Sequence, residues 1–508
     1  MKKAFALLSL LAASALGQLR ESVTVQVVEV PVYVTAAGAP VTSLTRENFL
    51  LFVNGKPQSI DYFDQIDFAA LPPERARDPR QRRLYMLVFD LNSTPNDLHR
   101  AQRAAIELLD GAAVDHTFAV ASLGRGSIGV IVPFTRDRLV VRHAIRNLKV
   151  SLTGDPLRLG LTPGERGGEI GRPERLNDPR LTAGPGEPEI DVISMISDEI
   201  YGLGELAMRL AGMEGHKHVV LLSRGFEGSV LHGITPPARH GDLRTGPMNG
   251  LMRLNDSRAS VLSYAPNAAL LTQLRHMIEE FTKAGVFLHA IDTAGLRPMQ
   301  TAYDNESLYA LARDTGGTVI DRRNDLTSAL QLLIDRQRVV YVLGFRPPPG
   351  GPDTNRINVK LIGAPRGARA TFRPSYSAIF DPPDNADRLW LADIVMNDIP
   401  QNGVTADVRV EGSTLELEIP GREVLAHAVA GMVGAEAMFY VVAGPAVVEF
   451  RTKKITIDVA RAEGGLNESP LRVRETFDLP PGKYAAKVLV RIDGSGALGF
   501  ARRDFSVE

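Results

Sequence analysis

A chain of 508 residues is longer than one hydrophobic core organises, so roughly two to four domains are expected. Its hydrophobic (44%) and charged (23%) fractions are those of a soluble globular protein, and 58 Lys and Arg against 59 Asp and Glu leave no overall field pointing to nucleic acid or an acidic membrane surface. The absence of cysteine excludes thiol nucleophiles, cysteine-based zinc sites and iron–sulfur clusters, and is compatible with an oxidising compartment, since a large core needs no disulfides.

Lys2 and Lys3 precede an apolar stretch over residues 4–16, and Ala15-Leu16-Gly17 has the small-x-small form of a cleavage site. The stretch is shorter than the ~20 residues that span a bilayer. Residues 1–17 are therefore expected to be a signal peptide, and the remainder an exported protein, periplasmic or extracellular. No later segment has the length and apolarity of a transmembrane anchor.

Residues 22–34 alternate polar and apolar with the period of a half-buried strand. Asn54-Gly55 sits between the apolar runs 49–53 and 60–63, and that dipeptide favours the positive φ of a tight hairpin. Residues 18–79 thus form an N-terminal β module with a Pro/Arg-rich linker at 71–83. The run LYMLVF from Leu84 is continuous, as in a strand buried on both faces. A helix follows with Leu98, Ala101, Ala105 and Leu108 on one face, then strands at 118–123 and 130–134. A helix over 193–210 aligns Ile196, Ile200, Leu203, Leu206 and Leu210 and leads into a strand at 218–223. Another spans 268–284, stops at Gly285 and runs into a strand at 286–291.

This alternation predicts an α/β domain over 80–345 with a doubly wound, mainly parallel sheet. Insertions at 150–192 and 224–266 are rich in Gly, Pro and Arg and lack periodicity. A β extension is expected at 346–376. Beyond it, a short helix at 384–396 holds the single tryptophan, Trp390, and strands at 406–410, 414–419, 437–442, 454–460, 485–492 and 499–507 predict an antiparallel β-sandwich over 377–508. Strands near 339–345, 357–362 and 370–372 are candidates to pair with the N-terminal module.

The chemistry concentrates at the end of the first buried strand, Phe89-Asp90-Leu91-Asn92-Ser93-Thr94. In an open α/β sheet ligands bind beyond the carboxyl ends of the strands, and oxygen side chains at alternate positions there can meet a hard cation such as Mg²⁺. The stretch resembles the Asp-x-Ser-x-Ser metal-adhesion motif of von Willebrand A domains, with Asp90 matching its Asp and Asn92 and Thr94 replacing its serines. The resemblance implies a second Asp in a Ser-Asp-Gly context after a later strand. Here that context reads Ser223-Arg224-Gly225, and a guanidinium repels a cation. Arg224 is therefore expected to pair with Asp90 in place of a metal, with Glu227 as the substitute ligand should Mg²⁺ bind. The family's ligating Thr falls in the region of the first insertion and cannot be placed.

Further stretches are similar to an acidobacterial von Willebrand A-related family. They are VPVYV with LTRENFLLFVNGKPQSI, GVFLHAIDTAGL from Gly285, and LYALARDTGGTVIDRRNDLTSALQLLIDRQRVVYVLGFRPP from Leu308, within roughly 22–377. The resemblance implies fold and location more than mechanism. Thr315-Gly316-Gly317 reads as a tight turn, Asn324-Asp325 as a helix cap, and Asp292 as a turn-capping carboxylate at a strand end.

Weaker motifs have structural readings. Gly124-x-Gly126-x-x-Gly129 matches a dinucleotide fingerprint, but strand-like residues follow it where a helix should. His216 and His218 flank Lys217, and with no third ligand nearby they read as a solvated turn. The function expected is protein–protein interaction or adhesion outside the cytoplasm, through the sheet's carboxyl edge, without catalysis, a normal metal site or a cofactor. Arg125, Arg224, Arg239 and Arg244 would suit an acidic partner. One alternative is an envelope scaffold bound through the β modules. Another is a degenerate haloacid dehalogenase-like phosphatase with Asp90 as nucleophile, although Asn92 stands where that chemistry needs an acid.

Overall fold

The computed structural model describes residues 27–76, 78–112, 116–124, 127–148, 169–170, 189–226, 228–232, 266–296, 305–347, 352–377 and 387–508. The signal-peptide expectation, Arg125, Glu227, Arg239, Arg244 and most of both insertions lie outside them.

The N-terminal module is a two-sheet sandwich. Strands β1 (Val28–Ala36), β2 (Phe49–Val53), β3 (Lys56–Gln58) and β4 (Tyr62–Asp67) come from the first part of the chain. Strands β11 (Val339–Phe345), β12 (Thr354–Leu361), β13 (Arg369–Phe372) and β14 (Ser375–Ser377) come from the far side of the central unit. One sheet runs β13-β1-β11-β4 and the other β14-β12-β2-β3. Alternation puts Val30, Val32 and Val34 against Leu51, Val53, Tyr341 and Leu343 in one core. The Asn54-Gly55 turn has the expected positive φ at both residues, 50° and 78°. Its second strand is β3, however, and the apolar run expected there joins the other sheet as β4. Val339–Phe345, which the sequence reading counts with the central domain, pairs with β1 and β4.

The central unit is a mixed α/β domain. Its sheet runs β10-β9-β8-β5-β6-β7, from β5 (Arg83–Asp90), β6 (His116–Gly124), β7 (Ser127–Thr135), β8 (His216–Ser223), β9 (Val286–Asp292) and β10 (Val319–Ile320). Neighbours are parallel except the β6–β7 hairpin and the two-residue edge strand Glu169–Ile170, which pairs antiparallel with β7. Helices α1 (Pro95–Gly111), α2 (Arg138–Arg146) and α6 (Leu326–Arg336) cover one face. Helices α3 (Glu189–Arg209), α4 (Ala268–Ala284) and α5 (Glu306–Ala312) cover the other. Every residue of β5 is buried, so Leu84, Met86 and Val88 feed one core and Tyr85, Leu87 and Phe89 the other. Each such large side chain contributes about 1.5–3 kcal/mol. The helices begin on polar caps, Thr94, Asp137, Asn267 and Asp325, and α4 ends on left-handed Gly285.

Helix α7 (Asp387–Asn397) leads into a C-terminal pair of antiparallel sheets. One is β15-β16-β19, from Asp407–Glu411, Thr414–Ile419 and Leu471–Thr476. The other is β18-β17-β20-β21, from Ala446–Asp458, Met432–Ala443, Gly482–Ile492 and Leu498–Val507. Strand β19 was not expected from the sequence, and the strand expected over 454–460 ends at Asp458, where Asp458 caps a helix. Among the described residues no helix is long and apolar enough to cross a membrane.

Candidate functional site

The chain leaves β5 toward β6 on one side and returns to β8 on the other. The order of strands therefore reverses between β5 and β8, and the crevice beyond their carboxyl ends is where an open α/β sheet accepts ligands. Asp90 ends β5, Ser223 ends β8, and Asp292 ends β9 in register with Ser223. Period-2 alternation sets all three on the face that α3 and α4 cover, in line with Leu84-Met86-Val88, Val219-Leu221 and Leu288-Ala290.

Asp90 is 5% exposed, and its donors come from the chain around it. The Asn92 N–H donates to Oδ1 at 2.8 Å, while the Ser93 and Ser223 hydroxyls donate to Oδ2 at 3.0 and 2.6 Å. Burial raises its pKa, and the Ser223, Asn92 and Ser93 hydrogen bonds and then the Arg224 charge oppose that rise. Ser223 Oγ in turn accepts the Gly225 N–H at 2.8 Å, and Ser307 Oγ accepts that of Phe226 at 2.8 Å. Gly225 has φ 74°, and a Cβ there would lie 2.7 Å from Ser307 Oγ, so this turn closes only on glycine.

The expected Arg224–Asp90 pair is not formed. Asp90 is satisfied by hydroxyls and a backbone amide, while Arg224 turns to the α1 side and lies 3.9 Å from Asp97 Oδ2. Asp97 also approaches Arg100 at 4.0 Å and accepts the Thr94 hydroxyl at 2.7 Å. Thr94 is the N-cap of α1, accepting the Asp97 N–H, and both Thr94 and Asn92 are exposed at the rim. The loop thus brings Asp90, Asn92 and Thr94 to one edge, but only Asp90 points into the fold among them with its carboxylate fully engaged.

Sequence reasoning passed over Ser93, Asp97, the hydroxyl of Ser223 and Glu199. Glu199 lies on α3 in the apolar stripe of Ile196, Leu203 and Leu206, and a carboxyl on such a stripe is the signal that could have found it. Burial, and then the charge of Asp90, push it up to about 8. Among the described residues no three His, Asp or Glu side chains converge as a metal-holding group, so a cation here would also need hydroxyl and water oxygens. Among the described residues Ser223 and Ser93 have a carboxylate partner and no imidazole partner. Asp292 Oδ1 caps the Ala294 N–H at 3.0 Å, as expected for a turn.

His216, Lys217 and His218 are not a solvated turn but the start of β8, with His218 1% exposed. His218 Nε2 lies 3.2 Å from the Tyr33 hydroxyl of β1, and its Nδ1 lies 3.1 Å from His289 Nε2. The β module docks on the central unit here, which is why these rings are buried.

No protein-family model matches the chain, and no curated protein matches it. Solved structures that match include a von Willebrand factor type A from Catenulispora acidiphila, at 11% identity and TM-score 0.26, over 84% of this chain. This chain spans 66% of that structure's length. The VWA domain of SpRpn10 matches at 11% identity and TM-score 0.20, over 49% of this chain and 94% of its own. The chicken interferon gamma receptor alpha chain matches at 8% identity and TM-score 0.14, over 30% and 66%. With scores this low, the fold class rests on the strand order and directions given above.

Proposed function

We propose that this is an exported, von Willebrand A-like interaction protein whose partner docks on the carboxyl edge of the central sheet, without catalysis and without the family's ordinary metal ligands. The observation that supports this reading is the rim itself. Exposed Asn92 and Thr94, with part-exposed Arg100 and Arg224, surround a buried carboxylate whose side-chain partners among the described residues are hydroxyls. Arg224 occupies the position of the family's second carboxylate and is engaged with Asp97. Nothing in the geometry favours the phosphatase reading, since Asn92 supplies no acid and Asp90 is hydrogen-bonded on both oxygens.

The test is photocrosslinking in exporting cells, with the reactive side chain placed at Asn92 or Arg224, followed by titration of the purified partner against the full chain. Charge reversal at Arg100 and Arg224 should weaken binding by about tenfold or more. Crosslinks only from residues 387–508, with binding indifferent to the reversals, would favour the envelope scaffold. That second reading has one supporting observation, the buried Arg82–Asp393 pair through which the central unit holds α7.

A further inference from the structure

Two imidazoles in the junction under the β module have their basic nitrogens already engaged. His218 and His289 lie on the α6 face of the central sheet, before the apolar rows begin, where Tyr33 of β1 and Gln337 cover them in place of a helix. The Thr318 N–H donates to His289 Nδ1 at 3.1 Å, so the His289 proton is assigned to Nε2 and points to His218 Nδ1 at 3.1 Å. His218 then carries its proton on Nε2, 3.2 Å from the Tyr33 hydroxyl. A further proton on either ring must enter at Nδ1, and both Nδ1 atoms already face an N–H. The array therefore stands only while both imidazoles are neutral.

The groups packed around these rings sharpen the sensitivity. Arg83 of β5 lies over Phe68 at 4.5 Å. Arg373, between β13 and β14, lies 5.9 Å from the Phe287 ring and donates to the Thr282 carbonyl at 3.2 Å. His216 of β8 stands edge-on to Phe68, and Tyr85 of β5 stacks on His218 with His116 of β6 against its other side. Lys217 turns to the opposite face and donates to the Leu210 and Ala211 carbonyls. Asp67, at the end of β4, is held by Arg338 at 2.8 and 2.9 Å, which keeps its carboxyl below the ordinary range and ionised while imidazoles titrate. Among the described residues no carboxylate bonds to His218 or His289, so a charge formed there has no bonded counter-ion and adds to those of Arg83 and Arg373. Burial holds His289 down to about 3, and burial followed by the Arg83 and Arg373 charges holds His216 down to about 4.

The apolar part of the junction is a small cluster, Tyr33, Ile66, Phe68, Val340 and Val342 of the module on Phe287 of β9. The module's own core, with Val30, Val32, Leu51 and Phe345, lies elsewhere, as do the two cores of the central unit. Loss of the junction thus leaves each body its core. We propose that the junction is an acid-released latch, in which protonation of His218 and His289 frees the β module from the central unit while both stay folded. The latch lies at the amino ends of the strands, so it stands or falls apart from partner docking at the carboxyl edge.

The experiment places spin labels at Leu50→Cys and Leu139→Cys in the full chain, exposed positions on the two bodies of a protein with no other cysteine. Their distance distribution is read by double electron–electron resonance from about pH 7.5 to about pH 4, beside far-UV circular dichroism. One narrow distance is expected at the upper end, broadening reversibly between about pH 6.5 and 4 with the circular dichroism unchanged. In the parent, histidine-selective ¹³C labelling should show His218 and His289 turning from neutral to charged over the same range. His218→Gln combined with His289→Gln should lower the midpoint of release by at least about one pH unit, and the ring titration decides the matter even where that variant folds poorly. A distribution that stays narrow until the circular dichroism collapses would overturn the proposal. So would imidazoles that charge outside the range of release, or a double variant with the parent's midpoint.

Discussion

Ser223 joins two strands and a turn through one hydroxyl. It donates to Asp90 at 2.6 Å and accepts the Gly225 N–H at 2.8 Å, so removing it strands a buried carboxylate oxygen and a backbone amide together. Ser223→Ala should cost about 1–3 kcal/mol, measured as a lower urea midpoint with an unchanged slope. Asn92→Ala removes an exposed side chain and should cost far less, within about 0.5 kcal/mol. Equal losses in the two variants would mean that Asp90 is not held as described. Asp90 was legible in the sequence because an acid ending an apolar run stands out. Ser93 and Ser223 were not, since a serine at a strand end is ordinary and only the pairing of β5 with β8 brings the two to one carboxylate.

At the level of elements, the docking of β1 against β8 and β9 rests on a chain of neutral rings. His289 Nδ1 accepts the Thr318 N–H at 3.1 Å, so its proton sits on Nε2, 3.1 Å from His218 Nδ1. Gln337 lies 2.8 Å from the same Nε2, and since two N–H donors cannot face each other its amide is assigned with the otherwise unpartnered oxygen turned to His289, while Tyr33 closes the chain at His218. Burial lowers His289 to about 3 and His218 well below its ordinary value, with neighbouring His289, His216 and Arg83 adding to the latter. In the unfolded chain both titrate near ~6.5. The unfolded state therefore takes up protons first as pH falls, and stability present above about pH 6.5 is lost progressively toward the folded values. At pH 5 each ring should subtract about 2 kcal/mol relative to pH 7.5. Urea midpoints flat between those two pH values would show that the rings are not buried neutral. The sequence read this segment as a turn because His216-Lys217-His218 is locally polar. Its partners Tyr33 and His289 are distant in the chain, and no local pattern announces them. The strands and helices were legible for the opposite reason, since apolar runs, stripes and caps are local.

Across the whole molecule, α7 is the joint. Leu389 and Trp390 pack into the central core, with Trp390 against Gly212, while Leu391, Ile394 and Val395 pack against Met438, Tyr440 and Leu489 of the C-terminal sheet. A helix apolar on all sides is the sequence signature of one buried between two bodies, whereas the sequence pattern places Trp390 only on a short helix. The joint is fixed by Arg82, whose Nη1 and Nη2 reach Asp393 at 3.0 and 2.7 Å with both side chains almost fully buried. Asn397 donates to the Phe134 carbonyl on one side at 2.8 Å, and Lys487 to the Val395 carbonyl on the other at 2.7 Å. Removing one partner of a buried pair leaves an uncompensated charge, so Asp393→Ala should cost about 3–5 kcal/mol. Replacing both, as Arg82→Met with Asp393→Leu, should recover much of that. If the joint couples the two bodies, the parent melts in one calorimetric transition that Asp393→Ala splits in two. The emission of Trp390, the only tryptophan, should shift to the red in the first of them. A single transition in the variant at the parent's temperature would mean that α7 belongs to one body alone, and that the central and C-terminal units respond to a partner independently.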